Sequence, residues 1–296
     1  MRSHTASATA IGSISIVLWG ALALMTRLTG SEIPPFQLLA MTFTLATSTM
    51  LLKWIIKGEH PGHYLRQPLP VWLLGVGGLF GYHLFYFIAM SKAPAVEVSL
   101  LAYLWPLLIV VFTALLPGES LRAKHWVGAL IALSGCWVLI GKGEGFEAQY
   151  LQGYLAALAC ALIWSSYSVL SRVTKAVPTD TVGGFCAVTA LLAWLCHLLF
   201  ETTVWPATSL QWLGVIGLGI GPVGIAFFTW DYGIKHGNLQ LLGVLAYAAP
   251  LISTLLLILV GEAEASNRVF YACVAIVVGA LVAGWTHRKR QMVKPA

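Results

Sequence analysis

Between positions 82 and 86, in an otherwise apolar stretch, stand three side chains able to hold a polar group: Tyr82, His83 and Tyr86. Four residues separate the two tyrosines, so on a helix they share a face and make an aromatic wall with phenolic tips. His83 beside them can hydrogen-bond a carboxylate or take up a proton near neutral pH. The alternative for His83 is a satisfied packing histidine. A wall of this kind suits a ligand with an apolar body and a charged head. Trp19, Trp105 and Trp164 also lie deep in apolar stretches. Trp54, Trp72, Trp126, Trp205 and Trp212 instead fall near their ends, where indoles settle at a membrane surface.

Pro106 and Pro250 sit at matching places inside apolar runs. Each lacks an amide hydrogen and crowds the carbonyl four residues earlier, so the carbonyls of Ala102 and Ala246 are expected to lose their usual partners and the helices to kink. In hydrocarbon such a carbonyl must find another partner, a side chain, water or a ligand ammonium, and plain helix shaping is the competing account. Ionisable groups inside apolar runs are costly and usually face a cavity or a partner. Of these, Glu97 and Asp231 are expected near helix ends, where water and the helix terminus lower the cost, and His197 at the interface. The pairs Gly77 with Gly81 and Gly217 with Gly221 have the spacing that lets helices approach closely. The glycine-rich run from Gly75 to Gly81 lacks the Lys-Ser/Thr ending of a phosphate loop, so nothing supports an ATP-driven process.

The elements that must position these residues follow from composition. Hydrophobic residues make up 58% of the 296 and charged ones 9%, with a mean hydropathy of +0.83. A soluble domain carries about a quarter charged residues, and its core does not string apolar residues into repeated stretches of about 20. The chain therefore reads as an all-α membrane protein. Helices are expected near 8 to 28, 35 to 56, 70 to 91, 96 to 116, 124 to 141, 151 to 172, 181 to 200, 211 to 234, 239 to 260 and 269 to 286, ten spans in all. With the N-terminus in the cytoplasm, 13 of the 17 Lys and Arg fall inside and only Arg27, Lys92, Lys142 and Arg268 outside, so both termini are expected to be cytoplasmic. The net charge of +6 comes from cations scattered at span ends, which excludes a nucleic-acid patch. The five cysteines, all inside spans, show no metal-ligand spacing and read as packing residues. The N-terminus runs into a full-length apolar helix with no small-residue cleavage site, and that helix is expected to stay.

The two halves of the chain resemble each other. Leu18-Trp19-Gly20 aligns with Ile163-Trp164-Ser165 at an offset of 145, Leu101 to Leu107 with Leu245 to Leu251 at 144, and Gly135 with Gly279 at 144. Five helices per copy, an odd number, force the second copy to cross the other way up, giving an inverted pair with a ligand site between the copies at mid-membrane. The expected units are residues 1–141, a connector at 142–149 outside the cytoplasm, residues 150–287, and a basic cytoplasmic tail at 288–296.

At these residues the chain resembles the drug/metabolite transporter superfamily, of the EamA-type ten-helix class, and within it the aromatic amino acid exporters. The general part of the likeness is a Pro in the fourth helix of each copy, a Glu soon after it (Glu119, Glu262), and glycines at Gly128 and Gly135. The second copy departs from it with Ala272 in place of the first glycine and its Glu one residue further away. The finer part is Glu97-Val98, Tyr103-Leu104-Trp105-Pro106, Ile163-Trp164 with Tyr167, and His236-Gly237-Asn238. The resemblance implies export of amino acids, aromatic ones included, and of related amphiphilic compounds, with a broad-specificity drug or metabolite exporter as the alternative. Under alternating access the cavity candidates are Trp19, Tyr82, His83, Tyr86, Tyr103, Trp105, Trp164, Tyr167, Phe227 and Trp230, with Pro106 and Pro250 as hinges. No cofactor or metal is implied. The expected partners are a small-molecule substrate and the lipid bilayer, with no nucleic acid and the chain working as a monomer. An enzyme would need paired acids, a nucleophile with its base, or metal ligands, and no His-Glu-x-x-His or Gly-x-Ser-x-Gly is present. A channel would need rings of charges or carbonyls, which an aromatic, poorly charged interior does not offer.

Overall fold

The computed structural model describes residues 2–30, 32–118, 122–140, 147–261, 264 and 266–284. Among them every regular element is helical. Where a short break leaves segments in line, they form α1 (His4–Leu28), α2 (Pro35–Lys57), α3 (Leu69–Lys92), α4 (Ala95–Thr113), α5 (Ala123–Ile140), α6 (Ala148–Val173), α7 (Thr181–Phe200), α8 (Ser209–His236), α9 (Leu239–Leu259) and α10 (Asn267–Gly284). All but α5 and α10 are long and apolar enough by themselves to cross a bilayer, and those two pack on each other. Ile55, Leu198, Phe200 and Leu281 are among many large apolar side chains turned outward, as a lipid solvent requires and water does not allow. Glu119 and Glu262, part of the connector at 142–149, and the basic tail lie outside the described residues.

Local chemistry sets the helix ends. Pro35 occupies the first turn of α2 and Pro94 the N-cap of α4, where no intrahelical N–H is lost. Thr208 and Gln211 form a reciprocal capping box at α8, and the Asn238 side chain accepts from Leu241 N at α9. Gly118 and Gly261, 143 positions apart, both turn out of their helices with φ near +80° (80° and 77°).

Two kinds of irregularity recur in both halves. α4 breaks between Ala95–Ala102 and Trp105–Thr113, and α9 breaks between Leu239–Leu245 and Ala248–Leu259, each beside the expected proline. At the second break the Ala246 carbonyl accepts from Ala249 N at 3.1 Å, so a tightened turn supplies the partner that Pro250 withholds. α3 and α8 each contain a π turn, Gly77–Gly81 and Gly219–Ile225.

Helix pairing follows the internal repeat. A Cβ on Gly128 would fall 2.5 Å from Gly279 O, and one on Gly135 would fall 2.9 Å from Ala272 O. Adding 144 to one member of the first contact and subtracting 144 from the other gives the second, so the seam between α5 and α10 maps onto itself. In the same way the close approach of Gly12 in α1 to Gly233 in α8 has its mate in Ala89 of α3 and Ala157 of α6, both fully buried in one cluster. Of the small residues read as packing pairs, a Cβ on Gly217 would meet Met25 Sδ at 3.0 Å, one on Gly221 would meet Leu18 at 3.7 Å and one on Gly81 would meet Ile163 at 3.8 Å. A Cβ on Gly77 meets nothing within 4 Å, whereas Gly75 and Gly78 lie under the rings of Phe185 and Tyr167. Gly75 and Gly78, three residues apart, share the face of α3 that meets α6 and α7.

Replacing Gly279 with Val should lower the thermal midpoint in detergent by an amount matching about 1–3 kcal/mol of overpacking, because the opposing atom is backbone. Gly77→Ala, facing open space, should leave it unchanged.

Candidate functional site

The helix breaks and π turns all lie beside one aromatic cluster. Trp19 of α1 stands at its centre, with ring centroids 6.2 Å from Trp105, 5.7 Å from Trp164, 6.2 Å from Phe227 and 5.1 Å from Trp230. Trp105 meets Trp230 at 5.6 Å, edge to face. Trp164 continues to Tyr167 at 5.2 Å and to Tyr82 at 5.7 Å, and Tyr82 stacks on Tyr86 at 6.1 Å. His83 touches Tyr82 at 5.3 Å and Phe43 at 5.4 Å. Nine of the ten expected residues therefore belong to one ring network drawn from α1, α3, α4, α6 and α8. Tyr103, the tenth, packs with Tyr247, Val110 and Cys136 against α5 and α10, while its phenol interacts electrostatically with those of Tyr82 and Tyr86. Phe43 of α2, missed by the sequence reading, bridges His83 and Phe227. An aromatic residue in an apolar run carries no mark that would have singled it out.

Two of the polar tips are held by carbonyls in the irregular turns. Trp19 Nε1 donates to Pro222 O at 3.0 Å, in the π turn of α8. Across the repeat, His83 Nδ1 lies 2.7 Å from Leu79 O in the π turn of α3. Because a carbonyl only accepts, Nδ1 carries the proton there, and Nε2 of a neutral ring is left as an acceptor. Trp230 Nε1 donates to Ser168 Oγ at 3.1 Å. Trp105, Trp164, Phe227 and Trp230 are buried, whereas Trp19, Tyr82, His83, Tyr86 and Tyr103 keep partial exposure. The cluster is thus sealed on one side and lined with hydroxyls, an imidazole and ring faces on the other.

Towards the end of the bundle holding the start of α1 and the C-terminal ends of α6 and α8, charges form a closed network. Asp231, only 1% exposed, pairs with Lys235 at 2.8 Å and accepts from Thr179 Oγ1 at 2.7 Å, while Lys235 also donates to Val177 O at 3.0 Å. The expectation of a watered helix end for Asp231 is corrected by this partner one turn on. Arg172 donates to the carbonyls of Ile234, Lys235 and Gly237. Lys53 pairs with both Asp180 and Glu59, and Trp54 Nε1 donates to Asp180 at 3.2 Å.

At the opposite end His197 stands in the last turn of α7. It is buried and holds Glu201 and Thr203, each at 2.9 Å, and Glu201 in turn accepts from Phe36 N and Gln37 N in the first turn of α2. Glu97 is likewise not watered. It is 4% exposed, and its Oε2 has no hydrogen-bond partner among the described residues. No group of three His, Cys, Asp or Glu side chains able to hold a metal occurs among the described residues.

Comparison with known proteins gives a concordant result. The profile of the EamA-like transporter family matches residues 7–141 and again 151–285. The aromatic amino acid exporter YddG of Ancylobacter novellus is 56% identical over 280 residues, spanning 94% of this chain and 96% of that one. The protein of the same name from Salmonella typhimurium is 30% identical over 301 residues, spanning 96% and 98%. A solved structure titled "Crystal structure of protein" superposes with a TM-score of 0.91 at 55% identity, covering 94% of this chain and 96% of its own. The likeness read from the Pro, Trp and Tyr positions is borne out.

Lys235→Met alone should destabilise the fold by about 3–5 kcal/mol, since it leaves Asp231 buried without its cation. Adding Asp231→Asn should restore most of the loss, as read by thermal unfolding of the purified protein.

Proposed function

Because the chain belongs to the EamA-like transporter family, we propose that it exports aromatic and other neutral amino acids across a bacterial inner membrane by alternating access. The observation that carries this reading is the convergence of Trp19, Trp164, Phe227 and Trp230, from both halves of the chain, on one box beside Tyr82 and His83. Ring centroids 5–6 Å apart touch one another in this state, so an aromatic or aliphatic side chain is taken up as the rings part, and it meets them then by dispersion and edge contacts. The phenols and the free Nε2 of His83 offer the few polar anchors that a zwitterionic head needs. The name of the 56% identical relative supports the same substrate class.

In this reading ten helices cross the bilayer as two five-helix repeats of opposite orientation, residues 1–141 and 150–287. A connector at 142–149 lies outside, both termini are cytoplasmic, and 288–296 is a basic tail. The distribution of Lys and Arg supports the orientation, and the self-mapping seam of Gly128 and Gly279 supports the inversion. The closed network of Asp231, Lys235 and Arg172 is then the cytoplasmic gate, and the partly exposed tyrosines line the route to the outside.

Pro106 and Pro250 serve as hinges. Beside the first break, Leu107 N donates to the Tyr247 hydroxyl at 3.1 Å. Repeat symmetry pairs this bond with one from Leu251 N to Tyr103, and the Tyr103 hydroxyl makes no hydrogen bond among the described residues. Exchange of the first bond for the second is a natural accompaniment of inversion from one open state to the other.

Counterflow of labelled phenylalanine into proteoliposomes tests the reading. Trp164→Ala and His83→Ala should each cut the rate about tenfold or more at normal expression and monodispersity, corresponding to about 1.4 kcal/mol of lost binding or transition-state contact. Unchanged rates in both would remove these residues from the site. Tyr247→Phe should slow exchange at unchanged substrate affinity, because it bares the Leu107 amide in one state only, at about 1–3 kcal/mol.

A further inference from the structure

The aromatic box holds no carboxylate, yet an amino acid brings an ammonium group that must lose water to enter. Most described acidic side chains are committed or exposed. Asp231 and Asp180 are ion-paired, Glu59 pairs with Lys53, Glu201 is bonded by His197 and the first turn of α2, Glu147 is held by Gln149, and Glu32 and Glu264 face solvent. Glu97 alone among them is both buried and without a partner.

Its place in the fold explains why. Glu97 is the third residue of the Ala95–Ala102 segment of α4, where a glutamate ordinarily reaches back to the backbone N–H of the N-cap. Here the N-cap is Pro94, which has no N–H. The helix terminus still favours a negative charge, so the site keeps the carboxylate but withholds its usual donor. Leu101, one turn along the same face, packs with Tyr86 in the cluster of Val98, Ala89 and Tyr154. Glu97 therefore lies about 9 Å outward of Tyr103 along the helix axis, at 1.5 Å per residue, on the segment of α4 that packs into the cluster containing Tyr86.

We propose that Glu97 receives the ammonium group of the amino acid while its side chain rests on the Tyr82 and Tyr86 rings, making Glu97 a residue that selects for amines at the outer approach to the box. The proposal rests on the amino-acid reading given above. An ammonium supplies the missing donors to a carboxylate already dehydrated, whereas an acid lacking the amine leaves that carboxylate facing another anion. Discrimination is thus built from an unsatisfied acceptor rather than from shape.

The test is competition against phenylalanine counterflow in proteoliposomes by 3-phenylpropionate, which lacks the amine, and by phenethylamine, which retains it. In the wild-type protein loss of the amine should weaken competition about tenfold or more, the worth of one charge-assisted contact. In Glu97→Gln the difference should shrink to about twofold, and Glu97→Asp should keep part of it. In parallel, labelling of Glu97 in the wild-type protein by an apolar carbodiimide, read by peptide mass spectrometry, should be blocked by phenylalanine and phenethylamine but not by 3-phenylpropionate. This arm needs no variant to fold. Wild-type discrimination retained in Glu97→Gln, or labelling indifferent to all three compounds, overturns the role of Glu97. Loss of a steep pH dependence in Glu97→Gln with amine discrimination intact also overturns it and assigns the carboxyl to a proton. No counterflow of phenylalanine by the wild-type protein overturns the substrate reading itself.

Discussion

Hydrocarbon offers no hydrogen bonds, so any backbone group released inside the bundle must be met by the chain itself. Helices α3, α4, α8 and α9 all depart from regular geometry in their middles, and each departure is met from a different helix or a neighbouring turn. Pro222 O takes the Trp19 indole, Leu79 O takes His83, Leu107 N gives to Tyr247, and Ala246 O takes Ala249 N. Trp19 and His83 of the aromatic cluster are therefore held by the irregular turns themselves. The aromatic cluster and the irregular turns of the helices are one construction.

The same constraint explains the distribution of charge. Asp231 and Lys235, one turn apart in α8, are out of water and depend on each other and on Thr179 and Val177. Such a pair contributes little net stability compared with apolar packing, but it cannot lose one member cheaply. It fixes where the ends of α6 and α8 meet, a service that a purely apolar contact with many near-equal arrangements would perform less sharply.

Much of this was legible in the amino-acid sequence. The apolar runs, the repeated Pro and Trp positions and the constant offset located the long helices, their breaks and nearly all of the ring network. Side-chain pairing was legible in principle and passed over. Asp231 with Lys235 and His197 with Glu201 are both four residues apart, the spacing at which helical neighbours meet, yet each was read singly as a group near water. The π turns were not legible, because one extra residue per turn changes no composition. The break in α4 falls at Tyr103, so Tyr103 packs towards α5 and α10 while Trp105 joins the main ring network.

The crossing of α5 and α10 maps onto itself under the exchange of halves, with main-chain atoms too close for any side chain at Gly128 and Gly279. A joint that is its own image needs no repacking when the two copies trade shapes. Under the alternating access proposed above it would act as a fulcrum with the same energy before and after the swing, leaving the bias between the two orientations to the places where the copies differ, such as Ala272 opposite Gly135 and the Asp231–Lys235 pair of α8.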